Sequence, residues 1–241
     1  MWVSCHAALR GGRLLLAAGM AGAVVGSSPS VQPVVAKIEL ITPESTAAWS
    51  VRGFPLIKPT HYTWEMMAGR QVLVGRSEDA NRSLVRELKV EQPTHAVLRW
   101  RWHATGTLQG DPPERTKAGD NYAARVFVIF ETSWLPTRTR AINYVWSARE
   151  PEGSRFASPY SDHVRLMVLQ SDSDRQTPTP VEWRFETRDV LADYAACFGE
   201  APSVINAIAV MVDTDGSDHR ATGWFSDMVL EISPAPANAA P

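Results

Sequence analysis

The stretch His95-Ala-Val-Leu-Arg-Trp-Arg-Trp-His103 decides the fold class. On an extended strand successive side chains point to opposite faces, so Ala96, Leu98, Trp100 and Trp102 line one side and Val97, Arg99, Arg101 and His103 the other. The indoles mark the core side. The cationic row is either a solvated outer face or the floor of a groove for an acidic or hydroxylated ligand. A strand buried on one face only belongs to an antiparallel sheet, since parallel strands are covered on both.

Working outward, short β-branched or aromatic runs bounded by Gly, Pro, Asn or Asp recur through the chain. They are Gln71–Arg76, Ser83–Val90, Tyr122–Glu131, Ala141–Ser147, His163–Gln170, Val181–Thr187, Ile205–Asp213 and Thr222–Ile232, after a first strand at Lys37–Ile41. No series of helices alternates with them, which favours an antiparallel sandwich over a parallel α/β sheet. One helix is predicted, Asp189 to Phe198. Thr187 or Asp189 caps it, Val190, Tyr194 and Phe198 share a face, and Gly199 ends it. The expected fold is all-β: an antiparallel, jelly-roll-like β-sandwich with one helical insert near 189–198.

The 241 residues are 44% hydrophobic and 21% charged, with a formal charge of −2. That composition excludes a disordered chain, a collagen-like fibre and a strongly basic nucleic-acid binder. Nine Trp are an excess whose aromatic surface needs an explanation. Arg10 and Arg13 precede an apolar run, Leu14 to Val25, and then Gly26, Ser27 and Ser28: the layout of a secretory leader, residues 1–28 with an end as late as 36. The run is too short to cross about 30 Å of hydrocarbon, and no other stretch spans a bilayer. A periplasmic or secreted location is therefore expected. Loss of the leader removes Cys5, so Cys197 stands alone, no intrachain disulfide can form, and the core must carry the fold. Residues 37–232 read as one sandwich domain and 233–241 as a Pro/Ala tail with nothing to bury.

Three charges sit inside apolar strands: Arg125, Arg165 and Asp227. An unpaired buried ion is costly, so each must be paired or face a cavity. A hairpin across Thr132–Thr139 puts Arg125 close to Trp146, and Val128 close to Asn143, with the guanidinium on the indole face. Asp227 offers one partner for Arg165.

Several blocks resemble a bacterial family, domain of unknown function family 3047. They are Leu98-Arg-Trp-Arg-Trp102, Lys117-Ala-Gly-Asp-Asn-Tyr-Ala-Ala-Arg-Val-Phe-Val-Ile-Phe130, Ala141-Ile-Asn-Tyr-Val-Trp146, Arg188-Asp-Val-Leu-Ala-Asp-Tyr194, Phe198-Gly-Glu200 and Ile208-Ala-Val-Met-Val-Asp-Thr-Asp215, followed by Trp224–Asp227. The resemblance runs from about Phe54 to Ile232 and implies an exported protein without an established activity. The chain departs from the family at Asp120-Asn121, where Asp-Asp is usual, and at Gly216, where Asn usually follows Asp-Thr-Asp. The closing hairpin is also similar to that of galactose-binding-like jelly rolls.

Asp213, Asp215 and Asp218 around Gly216 could supply oxygens to calcium, or simply form a polar turn. Asp120, Glu131, Glu182, Asp213 and Asp227 are available as paired acids for a polysaccharide-cleaving enzyme, if two converge across a cleft. No Gly-x-Ser-x-Gly, phosphate-cradling loop or zinc spacing is present, and a net acidic chain gives no support to nucleic-acid binding. The leading expectation is a non-catalytic protein that binds a glycan or another hydroxylated or acidic envelope ligand. Arg125 and Arg165 would hold the ligand, Tyr144 and Trp146 would stack on it, Asn143 would line the site, and Asp120 and Asp227 would orient the arginines. The same residues could instead form a buried structural network, or the domain could serve protein interactions.

Overall fold

Two β-sheets pack face to face in the computed structural model, which describes residues 36–53, 55–106, 108, 112–131, 139–173 and 182–234. One sheet holds β11 (Arg184–Asp189), β6 (Pro93–Gly106), β13 (Arg220–Pro234), β4 (Arg70–Glu78) and β3 (His61–Met67) in that order. β1 (Ala36–Glu39) also pairs with β13, beyond the end of β4. The other sheet runs β2 (Trp49–Arg52), β5 (Asn81–Glu91), β12 (Val204–Asp213), β7 (Ala124–Glu131), β8 (Arg140–Ser147), β10 (Ser161–Ser171), β9 (Arg155–Ser158). The all-β sandwich read from the sequence is therefore the fold. One pairing breaks the antiparallel rule: β10 lies parallel to β8. β2, β3 and β9 are strands that the sequence reading passed over. The leader, the 132–138 hairpin loop, the side chain of Glu131 and the tail beyond 234 lie outside the described residues. No described helix is long and apolar enough to cross a membrane.

The inner faces follow the alternation of β6. Leu98, Trp100 and Trp102 face Val126, Val128 and Phe130 of β7 and Ile142, Tyr144 and Trp146 of β8, all in one core cluster. Trp100 meets Trp102 edge-on at 5.5 Å between ring centroids, Trp102 meets Trp146 at 5.7 Å, and Trp100 lies 5.4 Å from Tyr144. Such pairs add about 0.5–1.5 kcal/mol each beyond area burial. These indoles thus build a core without a disulfide, rather than supplying surface aromatics. Two of the indole N–H groups inside it find acceptors: Trp102 donates to Glu186 and Trp146 to Asp172, both at 3.1 Å, while that of Trp100 has no partner among the described residues.

The helix α1 (Val190–Phe198) forms where its caps predict. The Asp189 carboxylate accepts from the N–H groups of Leu191 and Ala192, and Gly199 takes the left-handed conformation at φ 78° that ends it. Its buried face sets Tyr194 against Phe130 at 4.6 Å. Cys197, half-buried on this helix, packs against the core, and burial pushes its thiol up, away from nucleophilic use.

Candidate functional site

Arg125 is 4% exposed and sits on β7 with its side chain on the outer face of the seven-stranded sheet. Its partner across the sheet is Val145, not Trp146, and Val128 lies opposite Ile142, not Asn143. The hairpin expectation is off by one because β7 carries a bulge: the register shifts between Ile129 and Glu131, which absorbs one residue. A one-residue slip reverses every face. The aromatic under the guanidinium is accordingly Tyr122, at 4.3 Å, instead of Trp146.

The charge of Arg125 is met by two carboxylates. Asp213, at the end of β12, accepts from Nε at 2.8 Å and Nη2 at 2.6 Å, a bidentate fork. Asp120 accepts from Nη1 at 3.5 Å and also gives its backbone carbonyl to Nη2. The backbone N–H of Tyr122 donates to Asp213 at 3.2 Å, and the Asp213 N–H returns a bond to the Tyr122 carbonyl. Asn81 ties Asp215 into the same corner at 2.8 Å. This cluster staples the 120–122 segment and the β12–β13 turn to the sheet. Asp213 is 1% exposed and fully engaged, so it has no free edge for a substrate or an ion. Asp215 accepts from Asn81, Asp218 is exposed, and no three His, Cys, Asp or Glu side chains are grouped to hold a metal among the described residues.

Burial pushes the Asp213 carboxyl up to about 7, with the Arg125 guanidinium pulling the other way. Burial likewise raises Asp120, Glu114 and Glu186. In the unfolded chain these groups return to about 4. Between its two values Asp213 holds a proton in the folded protein that it loses in the unfolded chain, so its contribution to stability is complete below about pH 4 and lost as pH rises through about 7, and the other three carboxyls act in the same direction. The melting temperature is therefore expected to be several degrees higher at about pH 5 than at about pH 8, and Asp213→Asn should flatten the slope. A melting temperature that climbs from the lower to the higher pH would refute this assignment.

The remaining site residues predicted from sequence do not gather around Arg125. Tyr144 and Trp146 point into the core, so neither can stack on a ligand; the Tyr144 hydroxyl donates to Asp193 at 2.7 Å. Arg165 pairs in register with Ile142 on the core side, and its guanidinium lies 6.0 Å from the Phe198 ring. Asp227 is on the other sheet, at a bulge of β13 with φ 49°, where it binds Arg70 at 2.5 Å and Arg101 at 3.1 Å. It orients neither Arg125 nor Arg165. The cationic row of β6 is a paired outer face: Arg99 binds Glu231, Arg101 binds Asp227, and His103 is buried against Trp224 at 5.2 Å.

Asn143 is different. It shares the outer face of the seven-stranded sheet with Arg125, is fully buried, and neither its Oδ1 nor its Nδ2 has a hydrogen-bond partner among the described residues. The register sets Phe127 and Leu166 on either side, with Ala209 beyond Phe127. Tyr122 packs against Leu166 and Val145 in the same outer cluster, and its hydroxyl is also buried without a hydrogen-bond partner among the described residues. Phe127, Ile129 and Met211 on this face are half-buried. Sequence reasoning named Asn143 but missed Tyr122 and Phe127, and the alternation of β7 was the signal for Phe127. It also missed Glu114, 3% exposed, which accepts from Ser147 Oγ and the N–H groups of Ala148 and Arg149 and so fixes the segment leading to Asp120.

These features define a class: a two-sheet β-sandwich with a buried arginine–carboxylate staple at one corner and an apolar outer face holding unsatisfied polar atoms. The profile of the family described as "Protein of unknown function (DUF3047)" matches residues 47–229, and the chain belongs to that family. No curated protein matches the sequence. Among solved structures, the chain is similar to the family 11 carbohydrate-binding module of a cellulosomal cellulase of Clostridium thermocellum. That match has 8% identity and a TM-score of 0.43, covering 85% of this chain and 99% of that one. It is also similar to the xyloglucanase domain of a type three effector from Sinorhizobium fredii, with 9% identity, a TM-score of 0.41, and coverage of 78% and 96%.

Proposed function

We propose that this protein is an exported, non-catalytic ligand-binding β-sandwich whose ligand is a glycan docked on the outer face of the seven-stranded sheet. The observation that carries the proposal is the half-buried apolar surface of Phe127, Ile129 and Met211 on that outer face, beside the enclosed amide of Asn143, which has no hydrogen-bond partner among the described residues. Leaving a buried polar group unsatisfied costs about 1–3 kcal/mol, and folded proteins seldom retain one without a use for it. An amide offers one acceptor and one donor group, which adjacent sugar hydroxyls meet once the side chains enclosing Asn143 move aside. Phe127, Ile129 and Met211 give the apolar surface against which the C–H face of a pyranose packs. Export is supported by the Arg10 and Arg13 leader pattern before Leu14–Val25.

A thermal-shift titration against neutral and acidic oligosaccharides tests this. A ligand at roughly 100 times its Kd adds about 2.7 kcal/mol, a rise of several degrees. Asn143→Leu keeps the side-chain shape and removes the orphaned atoms, so the free variant should melt no lower than wild type while losing the ligand-induced rise. No rise with any glycan, or an undiminished rise in the variant, would sink the proposal.

A further inference from the structure

The other sheet carries a cleft of about 380 Å³ on its outer face, between β3, β4 and the start of β13. Register brings His61, Arg76 and Thr222 side by side across these three strands, with Glu78 opposite Arg220 one step along. Lys58 reaches the cleft from the segment before β3. Arg76 donates once to Thr63 at 2.9 Å and once to Glu65 at 3.0 Å, and Arg220 binds Glu78 at 2.6 Å. The side chains of Lys58 and His61 have no hydrogen-bond or ion-pair partner among the described residues.

The lining therefore holds three permanent cations, Lys58, Arg76 and Arg220, against two carboxylates, Glu78 of the lining and Glu65 beside it, which leaves one surplus positive charge in a chain whose formal charge is −2. Positive charge gathered on a concave wall concentrates anions there. A guanidinium matches two oxygens of a carboxylate or phosphate, and a lysine adds a point charge that need not be prised from an existing partner. The Thr222 hydroxyl adds a neutral donor. The volume suits one small molecule rather than a polymer. We infer that this cleft binds a small molecule bearing a carboxylate or phosphate group, held by Lys58 and Arg76. This site lies on the sheet opposite Asn143 and does not depend on the glycan reading.

The test is calorimetric titration of the protein at low ionic strength with inorganic phosphate, glucuronate and, as a neutral control, glucose. Binding of phosphate or glucuronate without glucose is expected, and the tighter of the two identifies the anionic group. Lys58→Gln and Arg76→Gln should each weaken it about ten-fold, equivalent to about 1.4 kcal/mol. Both residues are largely exposed, so the variants should keep the wild-type melting temperature, and Asn143→Leu should bind the anion as wild type does. Absence of anion binding, equal binding of glucose, or unchanged affinity in the Lys58→Gln/Arg76→Gln double variant would overturn the inference.

Discussion

Arg125→Ala is expected to lower stability by about 3–5 kcal/mol, because it strands Asp213 and Asp120 in a buried corner without their cation. At about 2–4 °C per kcal/mol for a domain of this size, the melting temperature falls by roughly 10 °C. Arg125→Lys should recover only part of the loss, since an ammonium cannot make the paired bonds to Asp213 Oδ1 and Oδ2. Adding Asp213→Asn to Arg125→Ala should restore some stability at alkaline pH, where the buried Asp213 carboxyl, its cation gone, is otherwise forced to ionise. Differential scanning calorimetry decides the matter: an Arg125→Ala variant that melts with wild type would show that the cluster does not hold this corner.

Asp193→Ala is expected to cost about 2–3 kcal/mol. The carboxylate is 6% exposed and is the meeting point of three donors: the Tyr144 hydroxyl at 2.7 Å, Arg188 Nε at 2.8 Å and Arg188 Nη2 at 2.5 Å. Its loss leaves a phenol unsatisfied inside the core and frees Arg188 at the start of α1. Hydrogen exchange should show the protection of 190–198 falling more than that of β12, and Asp193→Asn, which keeps an acceptor, should lose less. Equal loss of protection across the whole domain, or none, would contradict a local hinge at Asp193.

The sandwich was legible because its signals are local. Alternation in His95–His103 placed four core side chains correctly, Ala96, Leu98, Trp100 and Trp102, and Asp189 and Gly199 bounded the helix from their own chemistry. Two of the strands that escaped notice explain themselves. Trp49–Arg52 and Arg155–Ser158 are four residues long, too short to show a period of two. His61–Met67 does alternate, with Tyr62, Trp64 and Met66 on one face and His61, Thr63 and Glu65 on the other, so its signal was present in the sequence and was not read. The parallel contact of β8 with β10 joins segments whose pairing has no hairpin turn to announce it.

The candidate site was read with less success, and the bulge of β7 accounts for much of it. Counting back from the hairpin loop gives a register that β7 does not keep, which placed Arg125 beside Trp146 and on the wrong face. Trp146 was assigned to stacking on a ligand, yet it lies in the core with Trp100 and Trp102, which the alternation of β6 had placed there.

From the sequence alone came the requirement that Arg125 be paired, because an isolated charge in Ala123–Val128 could not be buried otherwise. Which acids answer it was decided by tertiary structure. Asp213 lies 88 residues away and meets Arg125 only when β12 pairs with β7, while Asp227, equally acidic and equally apolar in its neighbours, is carried to the opposite sheet. The same holds for Asn143. Its identity is in the chain, but its lack of a partner is a property of the face that β7, β8 and β10 form together. Local alternation says which way a side chain points relative to its strand; only the pairing of distant strands says what it meets there.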